Sequence, residues 1–249
     1  MADSLLSKPL TLPCGIILPN RLAKAAMAEH MSDSAQRPTR PAFQSAYGAW
    51  ADGGWGLVLT GNVQVDVRYL GGPYDLTMDS ALPQDQLLAL YKTLAQTCKR
   101  AGTPPSFASK FAFGTPREMS MQDIEDVVRR FAEAARFCAD AGFDGIQIHA
   151  AHGYLLSQFL SPRANHRTDA YGGSPAGRAK IVVDIARAIR EVVPPSFCVG
   201  LKLNSADHQD RSATGASSEL EDCLEQTTLI AAEGLDFWKS AEELTRTLW

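Results

Sequence analysis

Apolar residues recur along this chain at two spacings, the 3.6-residue period of a helix and the short continuous runs typical of buried strands. The strongest helical pattern predicts a helix over residues 121–141, where Ser120 and Asp123 have the spacing of a capping box and Gly142 follows the last turn. Further helices are predicted over residues 83–101, 175–193 and 218–233.

Short apolar runs separate these helices and predict strands, of which the two clearest are residues 145–149 and 197–203. Two similar segments, residues 141–144 and 233–236, each connect a predicted helix to a predicted strand. Repeated helix–strand units of this kind build a parallel sheet. The chain of 249 residues has the usual length of a single α/β barrel, so we predict one domain over residues 1–249. The remaining strands are predicted over residues 21–28, 57–59 and 235–237.

Composition narrows the class of protein. The chain carries 24 Lys and Arg residues against 28 Asp and Glu residues and has no basic run, so a nucleic-acid partner is not expected. We recognise neither an apolar run of about 18 residues nor a secretory leader, which predicts a cytoplasmic protein without a membrane span. Five scattered cysteines, an odd number, fit a reducing compartment.

Two imidazoles and a phenol, those of His149, His152 and Tyr154, follow one predicted strand. Functional groups of parallel α/β sheets collect at the carboxyl ends of strands. Imidazoles near pH 7 and a phenol that keeps its proton until about pH 10 can hold a polarised oxygen and deliver a proton. Alternatively, the histidines satisfy loop carbonyls and Tyr154 is a half-buried loop aromatic. No third ligand follows these histidines at suitable spacing, so no metal site is predicted.

Lys202 lies within the predicted strand 197–203, where a buried ammonium is costly unless an anion meets it. Its alternative is an outward, snorkelling side chain. Lys24 has a similar position in the predicted strand 21–28, whose small residues would let a flat ligand approach the backbone.

Several motifs together resemble one enzyme family. Residues 149–162 read HAAHGYLLSQFLSP and continue over 163–174 as RANHRTDAYGGS, while residues 19–21 and 59–62 read PNR and LTGN. The chain is similar, from Leu10 to about Phe237, to the Old Yellow Enzyme family of FMN-dependent ene reductases. Its closest resemblance is to the branch that contains NADH:flavin oxidoreductases.

The resemblance implies a role for each matching residue. His149 and His152 would hold the carbonyl oxygen of an enone-type substrate, and Tyr154 would protonate its α-carbon. Lys202 would face N1 and the C2 carbonyl of FMN, which NADH or NADPH would reduce. The resemblance also implies small-molecule chemistry, including fungal secondary metabolism, and is compatible with a homo-oligomer. The residues that would flank the flavin ring are Ala25, Ala26, Met27 and Gly61.

The chain also departs from this family. Residues 104–111 resemble a part of the family's sequence that lies well beyond its third strand, yet here they directly follow residues 101–103. The third strand and its flavin-contacting glutamine are therefore expected to be deleted. The seventh and eighth strands, whose loops bind the FMN phosphate in the family, are also expected to be missing, and Ala28 stands where relatives have a Thr or Cys that tunes the flavin. The fold class is therefore predicted to be an incomplete TIM-type (β/α) barrel.

Two other functions remain open at this stage. A shortened relative without redox activity would be a pseudoenzyme, an isomerase that reuses Tyr154 and the histidines, or a binding protein. An unrelated barrel lyase would use Lys202 as a Schiff-base amine. The surroundings of Tyr154 argue against the lyase.

Overall fold

The computed structural model describes residues 4–78, 82–99, 117–204 and 216–241, with only the backbone described at residues 216–219 and 241. Its helices are α1 (Pro41–Asp52), α2 (Gln84–Cys98), α3 (Met121–Asp140), α4 (Leu155–Leu160), α5 (Pro175–Val192) and α6 (Ala216–Ala231). Its strands are β1 (Leu10–Thr11), β2 (Ile17–Leu18), β3 (Ala23–Lys24), β4 (Leu57–Val58), β5 (Val63–Gln64), β6 (Leu76–Thr77), β7 (Gly145–Ala150), β8 (Cys198–Asn204) and β9 (Phe237–Ala241).

The strands β7, β8 and β9 form a parallel sheet in that order. The pairs β3–β4 and β5–β6 are also parallel, whereas β1 and β2 form an antiparallel hairpin. Within the described part of the chain, these pairs are not hydrogen-bonded to the three-stranded sheet. Over the described residues, these β/α units do not form a closed barrel, in agreement with the predicted incomplete fold.

Two apolar clusters support these units. The larger packs the sheet against α3, α4 and α5, and Ile148, Leu201 and Ile185 lie at its centre with at most 1% of their surface exposed. The smaller joins α1 and α2 around Tyr47 and Tyr91, and Phe137 extends it to α3. Helix α3 therefore contributes to both clusters and connects the amino-terminal units to the sheet.

Local signals explain where the helices begin. Ser120 accepts a hydrogen bond from the Asp123 backbone N–H, and Asp123 accepts one from the Ser120 backbone N–H, so the predicted capping box is confirmed. Ser174 caps α5 in the same way, with Pro175 at the first helical position.

Other predicted boundaries differ from the structure. The predicted strand 21–28 is paired only over Ala23–Lys24, because its partner β4 has two residues. The last strand begins at Phe237 rather than at residue 235, because its in-register partners are residues 200–204 of β8. Helices α1 and α4 were not predicted. The expected third-strand deletion and the tail beyond residue 241 lie outside the described residues.

The face of the sheet opposite the helices carries side chains in layers, because in-register partners on parallel strands point to the same side. From the amino to the carboxyl ends of the strands, the layers are Gly145 and Cys198, then Gln147, Gly200 and Phe237, then His149, Lys202 and Lys239. In the middle layer, the Phe237 ring fills the space over Gly200, since a Cβ on Gly200 would come within 2.3 Å of this ring.

Candidate functional site

The three aromatic groups singled out in the sequence converge at the carboxyl end of β7. The ring centroid of His149 lies 5.1 Å from that of His152 and 5.1 Å from that of Tyr154, and both contacts are edge-on. His149 and His152 are half-buried, and 38% of the Tyr154 surface is exposed. The cluster therefore opens to solvent at one side, where a small molecule can enter.

The backbone fixes the proton position on His149. The Ala151 N–H donates to His149 Nδ1 over 3.2 Å, so Nδ1 is the acceptor and the proton of the neutral ring is on Nε2. Burial, followed by the charge of Lys202, lowers the pKa of His149 to about 4. At neutral pH, His149 is consequently an uncharged ring whose Nε2–H can donate to a ligand.

The lowered pKa of His149 predicts a pH-dependent stability. Between about pH 4 and 6.5 the unfolded chain binds a proton that the folded chain does not, so the contribution of His149 is complete above pH 6.5 and is lost as the pH falls towards 4. Urea unfolding should show that wild type loses as much as about 3 kcal/mol more than His149→Gln across this window. Parallel pH curves for the two proteins would contradict the low pKa.

A tight turn presents His152 and Tyr154. His152 and Gly153 both have left-handed backbone, with φ of 59° and 72°, and the His152 N–H donates to Asn204 Oδ1 over 3.1 Å. Ser157 Oγ accepts from the Gly153 N–H over 3.1 Å, which ties the turn to α4. A non-glycine residue held at positive φ commonly marks a functional position.

Lys202 lies in the same layer as His149, directly across the β7–β8 pairing. Only 7% of its surface is exposed, and among the described residues its ammonium has no hydrogen-bond acceptor and no ion-pair partner. Burial and the positive charge of Lys239 both lower the pKa of Lys202. The rest of the side chain is buried and the ammonium has no partner in the described part of the chain, so this position favours an anionic or strongly polar ligand.

Lys24 is buried to a similar extent but differs in its partners. Its ammonium donates to the Leu59 carbonyl over 2.9 Å, lies 3.4 Å from Glu29 Oε1 and sits 4.1 Å from the Trp50 ring centroid. Tyr47 also donates to Glu29, over 2.7 Å. Lys24 therefore belongs to a satisfied structural network, whereas Lys202 is available to a ligand.

The residues predicted to flank a flavin ring lie in and after β3. Ala25 and Ala26 are half-buried, and 48% of the Met27 surface is exposed. Gly61 is buried; its N–H donates to Tyr47 Oη over 2.7 Å, and a Cβ there would come within 1.7 Å of Glu29. Protein atoms thus already contact Gly61, and the role of all four residues at a flavin stays a prediction.

Sequence reasoning missed the groups beside Tyr154. Asp75 is buried, accepts from Gln64 Nε2 over 3.0 Å and lies 3.1 Å from His30 Nδ1. Burial and the negative charge of Asp75 raise the pKa of Tyr154, which keeps the phenol protonated. Asp75 directly precedes strand β6, which has only two residues, and no periodic pattern marked it.

Gln147 is a second group that the sequence did not indicate. It lies one layer below His149, and its Nε2 is a buried donor with no hydrogen-bond partner among the residues that the structure describes. Such a donor is expensive unless a ligand satisfies it. Gln147 and Lys202 therefore offer unsatisfied donors on the same face of the sheet.

The sequence profile of the NADH:flavin oxidoreductase / NADH oxidase family matches residues 95–245, more than half of the chain. The chain belongs to this family. No helix of the described residues is long and apolar enough to span a membrane.

Two fungal relatives show what share of their own length this chain covers. The NADH-dependent flavin oxidoreductase iliE of Neonectria sp. (strain DH2) is 45% identical over 277 residues, which cover 95% of this chain and 35% of that protein. The NADH-dependent flavin oxidoreductase iliE of Hypocrea jecorina (strain QM6a) is 39% identical over 277 residues, covering 95% and 67%. Both alignments exceed the 249 residues of this chain, so both relatives contain internal residues without a counterpart here.

A solved structure confirms the fold class. The Old Yellow Enzyme homologue from Zymomonas mobilis superposes with a TM-score of 0.78 at 19% identity, over 94% of this chain and 72% of that one. At this identity the similarity concerns the fold alone. The chain thus has the fold of this homologue, a TIM-type barrel that is incomplete over the described residues.

Proposed function

We propose that the protein is an FMN-dependent oxidoreductase that uses NADH or NADPH to reduce the C=C bond of an α,β-unsaturated carbonyl compound. One observation carries the proposal: the His149, His152 and Tyr154 cluster lies beside the unpaired ammonium of the buried residue Lys202, in a member of an NADH:flavin oxidoreductase family. We treat residues 1–249 as one domain that acts on a small molecule in the cytoplasm.

The donors present fit the polar edge of a flavin ring. Lys202 and Gln147 would hold that edge, since both lack partners and share one face of the sheet.

Bound FMN, once reduced, would supply hydride to the β-carbon of the substrate. The residues of this chain would stabilise the developing charge and transfer the proton. His149 would donate from Nε2 to the carbonyl oxygen, with His152 as the second donor, and thereby stabilise the negative charge that develops there. Tyr154, kept protonated by burial and Asp75, would deliver its proton to the α-carbon.

A non-redox relative is the second candidate, and the internal residues that the two fungal oxidoreductases have and this chain lacks favour it. Such a protein would keep the cluster and lose tight FMN binding. The two candidates differ in one measurable property, reduction of a bound flavin.

The distinguishing experiment uses the whole chain, FMN and a nicotinamide. We expect added FMN to bind to the protein. Its visible absorbance should be bleached by NADH or NADPH in the absence of oxygen and then restored by an enone. A protein that leaves FMN free in solution at high micromolar concentrations would overturn the redox function and support the second candidate.

A further inference from the structure

Three metal-ligating side chains meet at the amino end of the sheet. Cys14 lies in the turn between β1 and β2, Cys198 begins β8, and Asp236 directly precedes β9. One ligand atom from each lies within 4.8 Å of the other two, and within the described residues this is the only such group of three. Cys198 is four residues from Lys202 along β8, about 13 Å, so the group is distinct from the candidate active site.

Hydrogen bonds hold the carboxylate of Asp236 in place. Its Oδ2 accepts from the Val199 backbone N–H over 2.7 Å and from Arg190 Nη2 over 2.7 Å. The other oxygen, Oδ1, accepts no hydrogen bond from the part of the chain that the structure describes. Hydrogen bonds from neighbouring groups orient metal-binding carboxylates in this way, because they hold one oxygen and leave the other able to bind the ion.

The charges of the group would balance around a divalent ion. Two thiolates and one carboxylate carry three negative charges, which a divalent cation together with the neighbouring Arg190 guanidinium would neutralise. Neutrality matters here because Cys198 and Asp236 are buried, and a net buried charge is costly.

The distances suit a small thiophilic ion. Around Zn²⁺, sulfur ligands at about 2.3 Å and an oxygen ligand at about 2.0 Å lie roughly 3.5–3.8 Å apart. The ligand atoms lie within 4.8 Å of one another, so their spacing has to close by at most about 1.3 Å. Cys14 can provide part of this movement because it lies in a half-exposed turn. A fourth position would stay open to water on the side of Cys14.

We propose that Cys14, Cys198 and Asp236 bind one thiophilic divalent cation of the Zn²⁺ class. The ion would tie the β1–β2 hairpin to the beginnings of β8 and β9 and so close the lower end of an otherwise open sheet. A Cys14–Cys198 disulfide would use the same thiols but would leave Asp236 Oδ1 without a partner among the described residues.

Zinc binding tests the proposal independently of flavin. The full chain, stripped with a chelator and kept in a thiol-free reductant, is titrated with Zn²⁺ against a chromogenic indicator. Wild type should bind one equivalent, and Cys14→Ser should bind more than about tenfold more weakly, since even outer-shell changes at metal sites cost this much. Co²⁺ should give thiolate-to-metal charge-transfer absorbance in wild type that decreases in Cys14→Ser.

Cys223→Ser is the matched control, because Cys223 is half-buried on α6 and outside the group. It should keep wild-type zinc affinity, and thermal unfolding should show that both variants are folded. Absence of zinc binding by wild type, or equal affinity in wild type and Cys14→Ser, would overturn the proposal. A mass lower by two hydrogens in the unreduced protein, restored by reductant, would assign the thiols to a disulfide instead.

Discussion

Tyr154→Phe is expected to slow alkene reduction by about 10²- to 10⁴-fold, the usual contribution of a positioned general acid. The substitution keeps the ring that contacts His149 and removes only the hydroxyl. Reduction of bound FMN by NADH or NADPH needs no proton from this phenol and should proceed at close to the wild-type rate. Stopped-flow absorbance measures the two half-reactions separately.

Tyr69→Phe is the control for this experiment, because 63% of the Tyr69 surface is exposed on a separate short 3-10 helix, Val67–Tyr69. It should leave both half-reactions unchanged. Equal losses in the two half-reactions of Tyr154→Phe would remove Tyr154 from the role of proton donor and indicate a disturbed flavin site.

Arg178→Leu is expected to lower the free energy of unfolding by about 3–5 kcal/mol, the cost of breaking a buried charged network. The Arg178 guanidinium is buried in α5, donates to the Leu160 carbonyl over 3.0 Å and to the Gly173 carbonyl over 2.5 Å, and pairs with Asp222 of α6. It therefore connects the end of α4, the helix that follows Tyr154, to the two helices beside it.

Urea denaturation should measure this loss, and Arg178→Lys should recover only part of it, because an ammonium cannot make the three separate contacts of a guanidinium. Arg136→Leu serves as the control. Its side chain is 68% exposed and 3.9 Å from Asp140, so a change below about 1 kcal/mol is expected. Similar losses in Arg178→Leu and Arg136→Leu would contradict the structural role of the buried network.

Helices with local signals could be predicted, and elements defined by distant partners could not. The boundaries of α3 and α5 follow from a capping box and from a serine–proline start, which involve residues close together in sequence. Helix α1 also begins with a proline, Pro41, but no side chain caps its first turn, and two of its buried residues, Ala46 and Gly48, are small, so its signal in the sequence is weak. The two-residue strands β5 and β6 depend on each other for pairing and have no pattern of their own.

The site shows the same division. His149, His152 and Tyr154 lie within six residues, so their convergence could be read from the sequence. Lys24 and Lys202 looked alike because each is a lysine in a strand. Only the fold separates them, since the Leu59 carbonyl that accepts from Lys24 is 35 residues away.

Contacts between residues from distant segments could not be predicted from the sequence. Asp75 reaches the surroundings of Tyr154 from 79 positions earlier in the chain, through a loop that passes close to the Tyr154 ring at Gly71. Cys14, Cys198 and Asp236 come from the first hairpin and from two late strands. Neither spacing nor periodicity can indicate such groups.

The most direct test of the central claim is the FMN affinity of Lys202→Met. The neutral side chain keeps the packing and removes the unpaired ammonium, so the free energy of unfolding should stay unchanged or rise. Lys239→Met, in the same layer but exposed, is the control and should change the FMN dissociation constant by less than about fivefold. By fluorescence titration, we predict that Lys202→Met binds FMN at least about tenfold more weakly than wild type. Equal dissociation constants for wild type and Lys202→Met would contradict the account.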